Sequence, residues 1–382
     1  MNRPNQIQKN QVEALLALNL VHQLGAQRIR LLLQHTEHPA EIFTMSHAEL
    51  EAVDGIGPTI ARTILEFEDW QKVDRLLEKT RKTRAEIINY YDERYPPLLR
   101  EIYDPPILLW VKGDPDVLSV PGIAVVGTRR ATSYGLNMAK QYSKKLVENG
   151  LAVVSGLAYG TDAAAHKATL EVGGKTIAVL GSGIDVIYPQ KNAGLAAEIV
   201  ENGGAVITEL LPGTPPDAGN FPERNRIVSG LTLGTLVIES GLKGGSMITA
   251  QSALMQNREV FVIPHSLENT NGIGCNHLIK RAAGKLVQSV DDILEELPNY
   301  QKEMFPNEPE TKKELQWQSL DLDDDSKAIC SQLEDKPMHI DELSEAMDKP
   351  PHQLLAKLLE LEMMGCVRQT AGKNFELRQP SF

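Results

Sequence analysis

Short apolar runs separated by glycine-rich loops and amphipathic stretches fill the middle of the chain. Residues 123–126 (Ile-Ala-Val-Val) and 151–155 (Leu-Ala-Val-Val-Ser) are continuously apolar or nearly so, not alternating. That is the pattern of strands buried on both faces of a parallel sheet. Between them a helical period runs from about Tyr134 to Glu148 and stops at Asn149-Gly150. A second helical stretch, carrying Asp162 and His166, follows. The order repeats downstream, with strands predicted at 175–180, 205–208, 235–239 and 259–263. Helices are predicted at about 192–201, 247–256, 276–283 and 290–297. Strand, glycine loop and helix in repetition predict an α/β doubly wound core of six to eight mostly parallel strands.

The flanks read differently. Residues 12–70 carry short helical patterns, and Gly55-Ile56-Gly57 between two of them resembles a helix-hairpin-helix turn. Such a turn either offers backbone N–H groups to a nucleic-acid phosphate or is purely structural; Glu49, Glu51 and Asp54 around it weaken the first reading. Residues 71–120 form a proline-rich connector with a strand at 86–90 and an edge strand at 107–112. Residues 298–325 are acidic and proline-punctuated, the composition of a flexible linker. Helical patterns at 326–333, 339–347 and 351–363, then strands at 366–369 and 374–377, make a winged-helix pattern. The expected domains are 1–80, 81–297 and 326–382, with the linker at 298–325.

Charge refines this picture. The net charge of −12 argues against nucleic acid, but it is unevenly spread: −4 over residues 1–120, −1 over 121–297 and −7 over 298–382. The central domain is therefore free to carry a local basic groove. The third winged-helix helix has Lys357 but also Glu360 and Glu362, so partner binding is preferred there to DNA reading. Cys275, Cys330 and Cys366 are few and widely spaced, which suggests a reducing cytoplasm, no disulfide framework and no metal site. No apolar run is long enough to span a membrane, and the polar amino terminus lacks a signal-peptide core.

The chemistry gathers at two stretches. In the first, Arg129 and Arg130 follow a strand at once, where the carboxyl edge of a parallel sheet favours phosphate; the alternative is two solvated charges. Ser155 and Gly156 end the next strand. In the second, a long loop at 220–231 contains Phe221, Arg224, Asn225 and Arg226. Arginines track phosphates and an aromatic ring stacks on bases, although Phe221 also suits a core and one of the two arginines suits an internal salt bridge. Lys243 adds charge near Gly244-Gly245, and Ser246 either contacts ligand or caps the next helix. Gly173-Gly174-Lys175-Thr176 precedes a strand and has Thr169 where a phosphate loop needs its first glycine, so it is not one. Gly181-Ser182-Gly183 has Val186 where a dinucleotide motif needs glycine. No nucleophile with a base and an orienting partner is evident, and Asp162 and His166 read as structural.

These residues together resemble the DNA-processing protein A (DprA/Smf) family over nearly the whole chain. The resemblance rests on Tyr95-Pro96, Asp104-Pro105-Pro106, Val126-Gly127-Thr128-Arg129 and the run Ser155-Gly156-Leu157-Ala158 through Gly160, Asp162 and His166. Phe221-Pro222-x-Arg224-Asn225-Arg226 and Gly245-Ser246-x-Ile248-Thr249-Ala250 complete it. It implies a Rossmann-like core without catalytic turnover or cofactor that binds and protects single-stranded DNA and loads RecA recombinase during natural transformation. It implies a cytoplasmic homodimer, with a face around residues 257–280 and with single-strand-binding protein as a further candidate partner. It places DNA contact on Arg129, Arg224 and Arg226. Glu223 and Tyr159 depart from the family pattern, each removing positive charge. The alternative is a hydrolase of nucleoside monophosphates with Glu239 as its acid, but the glycine run of that group is absent.

Overall fold

A computed structural model describes residues 10–297, 322–333, 337–347, 349–364, 366–370 and 374–377. Two compact units divide the chain, Met1–Gln301 and Lys302–Phe382. The boundary expected near residue 80 falls inside the first of them.

Five helices open the first unit: α1 (Gln11–Leu20), α2 (Ala26–Leu33), α3 (His47–Glu51), α4 (Pro58–Leu65) and α5 (Trp70–Lys82). Ser46 and Glu49 form a reciprocal capping box at the start of α3, so Glu49 is engaged in a cap. Leu15, Leu16, Ile29, Leu32 and Ile64 are buried in an apolar cluster that also contains Trp110 and Val206 of the sheet. The Trp110 indole N–H donates to Thr80 Oγ1 at 3.0 Å, which ties α5 to the strand behind it.

The sheet has nine strands: β1 (Glu86–Asn89), β2 (Leu108–Gly113), β3 (Gly122–Val126), β4 (Ala152–Ser155), β5 (Thr176–Val179), β6 (Ala205–Thr208), β7 (Gly234–Val237), β8 (Glu259–Val262) and β9 (Lys285–Leu286). Their order is β1-β2-β6-β5-β4-β3-β7-β8-β9. Seven run parallel; β1 and β2 pair antiparallel with each other and β2 antiparallel with β6. Two expectations are corrected here. The strand count exceeds six to eight, and β2 is internal because β1 covers the edge it was expected to occupy.

Around the sheet lie α6 (Pro97–Arg100), α7 (Ser133–Glu148), α8 (Thr161–Glu171), α9 (Ala193–Glu201), α10 (Asn220–Gly230), α11 (Gly245–Met255), α12 (Ile273–Lys280) and α13 (Asp291–Leu294). Helices cover both faces, so β3 to β7 are apolar without alternation and buried at every position. The loop expected over 220–231 is helix α10. Pro222 sits in its first turn, where a missing N–H costs nothing, and Glu223 there complements the helix dipole.

The second unit has helices α14 (Asp324–Gln332), α15 (Ile340–Met347) and α16 (Pro351–Met363) and a sheet of β10 (Met338–His339), β12 (Asn374–Leu377) and β11 (Val367–Thr370), in that order. Ile329, Leu343, Leu358, Leu361 and Phe375 form its core. This is a winged helix. Asp323 caps α14 through Ser326 N–H at 2.8 Å, so the helix starts two residues before the expected Ser326. The rest of the expected linker, 298–321, lies outside the described residues. Among the described residues no helix is long and apolar enough to cross a membrane.

Candidate nucleic-acid interface

Sequence order along the sheet reverses at β3, whose neighbours are β4 on one side and β7 on the other. The loops leaving β3 and β7 therefore diverge and open a crevice at their carboxyl ends, where doubly wound sheets bind ligands. A cavity of about 420 Å³ lies there, bounded by residues 126–130, Gly156, Ala158, Asp162, Phe221, Arg224, Asn225 and the Gly244-Gly245-Ser246 start of α11. Seven sequence-predicted residues thus meet at one place: Arg129, Arg130, Gly156, Phe221, Arg224, Asn225 and Ser246. Ser155, Arg226 and Lys243 are not among them.

Each is positioned by identifiable contacts. Thr128 N–H donates to the Glu239 carbonyl at 2.8 Å, which joins the β3 loop to the end of β7. Arg129 and Arg130 are exposed. Among the described residues neither guanidinium lies within ion-pair distance of a carboxylate. The Arg129 guanidinium stands 5.3 Å from the centroid of the Phe221 ring, a cation–π contact. Phe221 is half-buried and presents part of its ring to the crevice.

Arg224 is buried. Its Nη1 donates to the Gly156 carbonyl at 2.8 Å and to the Val179 carbonyl, and its Nε to Asn225 Oδ1 at 3.3 Å. It therefore staples α10 across the ends of β4 and β5. Glycine at 156 leaves room for this staple: a Cβ there would stand 2.5 Å from the guanidinium and would push it off its carbonyl partners. Burial pushes the Arg224 pKa down to about 10, partly offset by Asp162 and reinforced by Arg129, so it stays protonated at neutral pH. Asp162 Oδ2 accepts from the N–H groups of Gly156 and Ala158, each at 3.2 Å. Burial raises its pKa against the opposing pull of Arg224 and these N–H donors.

Arg226, two residues along α10, points the other way. It pairs with Glu209 and with Asp104 at 3.7 Å and faces a separate cavity of about 540 Å³. That cavity is the larger, but Asp104, Glu209 and Glu223 line it, and such a surface repels phosphate. Asn225 Nδ2 donates to the Gly245 carbonyl at 3.2 Å and so holds the glycine loop. Ser246 does not cap α11: the N-cap is Gly244, and the Ser246 hydroxyl donates to Ser240 Oγ at 2.7 Å. Ser155 is fully buried and donates to the Val125 carbonyl at 2.7 Å. Lys243 is exposed just before the loop.

Glu239 is fully buried and accepts from Thr132 N–H at 2.7 Å, Thr132 Oγ1 at 2.8 Å and Asn269 Nδ2 at 3.2 Å. With those bonds it clamps the start of α7 to the end of β7, and its carboxylate is occupied by them. Among the described residues no group of His, Cys, Asp and Glu is arranged to hold a metal ion.

His166 is buried with Nδ1 2.7 Å from Thr176 Oγ1. Burial, with a smaller push from Arg224, lowers its pKa from 6.5 to about 3. The unfolded chain takes up a proton near pH 6.5 and the folded one does not. The stability this neutral imidazole contributes is therefore full above about pH 6.5 and is lost as pH falls from there toward 3. Between pH 7 and pH 5 the wild type should lose about 2 kcal/mol more stability than His166→Gln. Urea titrations at both pH values check this; equal losses would show that His166 takes up its proton alike in the folded and the unfolded protein.

Sequence reasoning did not count Tyr188 among the site residues and took Tyr159 only as a lost charge. Both line a narrow cleft beside the crevice, with Arg129, Pro189 and Phe221. The signal was an aromatic residue in each of two glycine-flanked loops after parallel strands.

The family model described as DNA recombination-mediator protein A matches residues 86–298, and that of the DprA winged helix domain matches 314–373. Protein Smf of Escherichia coli is 38% identical over 290 residues, spanning 75% of this chain and 76% of its own. The DNA processing protein DprA of Streptococcus pneumoniae is 46% identical over 205 residues, 54% of this chain and 72% of its own. The X-ray structure of DNA processing protein A from Streptococcus pneumoniae superposes with a TM-score of 0.66 at 35% identity, covering 75% of this chain and 98% of that one. A structure of DNA processing protein A from Helicobacter pylori, described for its single-stranded DNA binding mode, gives 0.51 at 29% identity over 56% of this chain and 96% of that one.

Proposed function

The chain belongs to the DNA recombination-mediator protein A (DprA/Smf) family, and on that premise we propose that its β3–β7 crevice binds single-stranded DNA. The observation that carries this reading is the convergence of Arg129, Arg130 and Arg224 with the amino end of α11 on one cavity. Three guanidinium groups and a helix dipole face one buried carboxylate, so the crevice has a surplus of positive field in a chain of net negative charge. Arg129 and Arg130 supply the phosphate contacts. Arg224, Asn225 and Ser246 shape the floor, and Arg226 holds α10 from behind. The phosphate-binding role read for Arg226 in sequence thus becomes a supporting one.

In the finer reading the bound strand is protected and passed to RecA recombinase during natural transformation by a homodimer. The exposed apolar residues Leu267 and Ile273 are the proposed pairing face. The winged unit docks a protein partner, with single-strand-binding protein as one candidate. Lys357 on α16 is bound to Asp323 at 2.6 Å and Glu360 at 3.0 Å, so that helix offers little free positive charge, while Leu355 and Leu359 stand exposed. Hydrolysis of nucleoside monophosphates is not favoured, because Glu239 is enclosed by its three donors.

Titration of a labelled single-stranded oligonucleotide without nucleotide, at low and moderate salt, tests the DNA reading. Affinity should fall steeply with salt as phosphate counterions are released on binding. A folded protein that leaves the oligonucleotide free at low salt would overturn it.

A further inference from the structure

We propose that Glu239, fully buried just past the end of β7, is a positioning residue for single-stranded DNA: it holds the 128–132 loop in the shape that presents Arg129 and Arg130 to phosphate. The inference rests on the DNA-binding reading above and deepens it. It assigns a part in binding to a carboxylate that no strand can touch and whose charge, taken alone, opposes binding.

Both ends of the loop are fastened to this one residue. At its start, Thr128 N–H donates to the Glu239 carbonyl at 2.8 Å. At its close, the Glu239 carboxylate accepts from Thr132 N–H at 2.7 Å and from Thr132 Oγ1 at 2.8 Å. Thr132 is in turn the N-cap of α7, its Oγ1 accepting from Gly135 N–H at 3.2 Å. Gly135 leaves room for the carboxylate, since a Cβ there would stand 2.5 Å from Oε2. Arg129 and Arg130 lie exposed between the two fastenings, with Arg130 N–H donating to Thr128 Oγ1 at 3.3 Å. A second segment braces the loop through the same carboxylate. Asn269 Nδ2 donates to Glu239 Oε1 at 3.2 Å, and Asn271 Nδ2 donates to the Arg130 carbonyl at 3.5 Å.

A short loop anchored at both ends to one buried residue has few conformations left. The two arginines on it then lose less freedom on meeting a phosphate chain, and preorganisation of that kind appears as affinity. The carboxylate works against this in one respect, because a negative charge near the crevice repels phosphate. The two effects have opposite signs, and glutamine separates them. It fills the same volume and removes the charge. If charge were all that Glu239 contributed, Glu239→Gln would tighten binding. As a positioning residue it must weaken binding, because an amide has one acceptor oxygen where the carboxylate has two. In either orientation the new NH2 group faces a donor: Thr132 N–H in one, Asn269 Nδ2 in the other.

The test titrates labelled oligothymidylate at low salt against the full chain as wild type, Glu239→Gln, Thr132→Val and Thr132→Ser, with urea unfolding to show that each is folded. Glu239→Gln should bind about tenfold more weakly than wild type. Thr132→Val, which keeps the charge and removes the hydroxyl, should also weaken binding, and Thr132→Ser should restore most of that loss. The deciding measurement adds Glu239→Gln to Arg129→Glu with Arg130→Glu. With no arginine left to position, it should cost no further affinity. A Glu239→Gln protein that binds as tightly as wild type or more tightly, or one that loses the same factor in the charge-reversed background, would refute the role and leave the crevice standing. If Glu239→Gln does not fold, Thr132→Val decides alone: wild-type affinity refutes the role, and a loss recovered by Thr132→Ser supports it. If wild type leaves oligothymidylate free, the crevice reading fails and this one with it.

Discussion

Replacing Arg224 with methionine should cost the first unit about 3–5 kcal/mol of unfolding free energy. Methionine fills similar volume but leaves the Gly156 and Val179 carbonyls without their donor and Asp162 without its nearby cation. Removing one partner of a buried charged arrangement costs far more than the arrangement contributes net, because the remaining groups stay desolvated. Urea unfolding followed by tryptophan fluorescence, to which Trp110, fully buried in this unit, contributes, reports the loss. Adding Asp162→Asn should recover part of it: the charge is gone, yet Oδ1 can still accept from Gly156 and Ala158. A lysine at 224 should not rescue, since one ammonium cannot reproduce the planar reach of a guanidinium. An Arg224→Met protein of wild-type stability would mean that the staple across β4 and β5 is not formed in solution.

Arg129→Glu with Arg130→Glu should weaken single-stranded DNA binding on the order of 100-fold at low salt, with stability near wild type. Both side chains are exposed and free of internal ion pairs among the described residues, so reversing them breaks no folded-state contact except the one over Phe221. Each lost phosphate contact should also flatten the plot of log affinity against log salt by about 1. The two effects must appear together. Weaker binding with an unchanged slope would mean that the arginines act through the shape of the loop and not through phosphate.

The contrast between these predictions marks what sequence could and could not disclose. Both stretches were legible: 121–166 from its continuous apolar runs and glycine stops, 220–231 from its arginines and aromatic. That β3 and β7 adjoin, bringing the two together, depends on the crossover from β6 through α10 and on sheet order, which no local pattern encodes. Arg224 and Arg226 look equivalent in sequence. Helix α10 turns them to opposite sides, one against strand-end carbonyls and the other against Glu209 and Asp104. Pro222 and the proline- and glycine-rich approach at 212–219 disguised that helix as a loop. Likewise β2 read as an edge strand because its flanking prolines are edge-like, while the strand that covers it, β1, is four residues long. Ser246 had the right chemistry for a cap, but the turn places Gly244 at that position. The winged unit was legible because three helical periods and two short strands fall in close succession.

Photocross-linking addresses the central claim most directly. An oligothymidylate carrying 5-iodouracil would be irradiated on the wild-type protein at low salt and the adducts located by mass spectrometry. Adducts should concentrate in the peptides containing Arg129, Tyr159 and Phe221, which bound the β3–β7 crevice and its mouth. Adducts confined to the Gly55–Gly57 turn or to the winged unit, with those three peptides unmodified, would contradict the account.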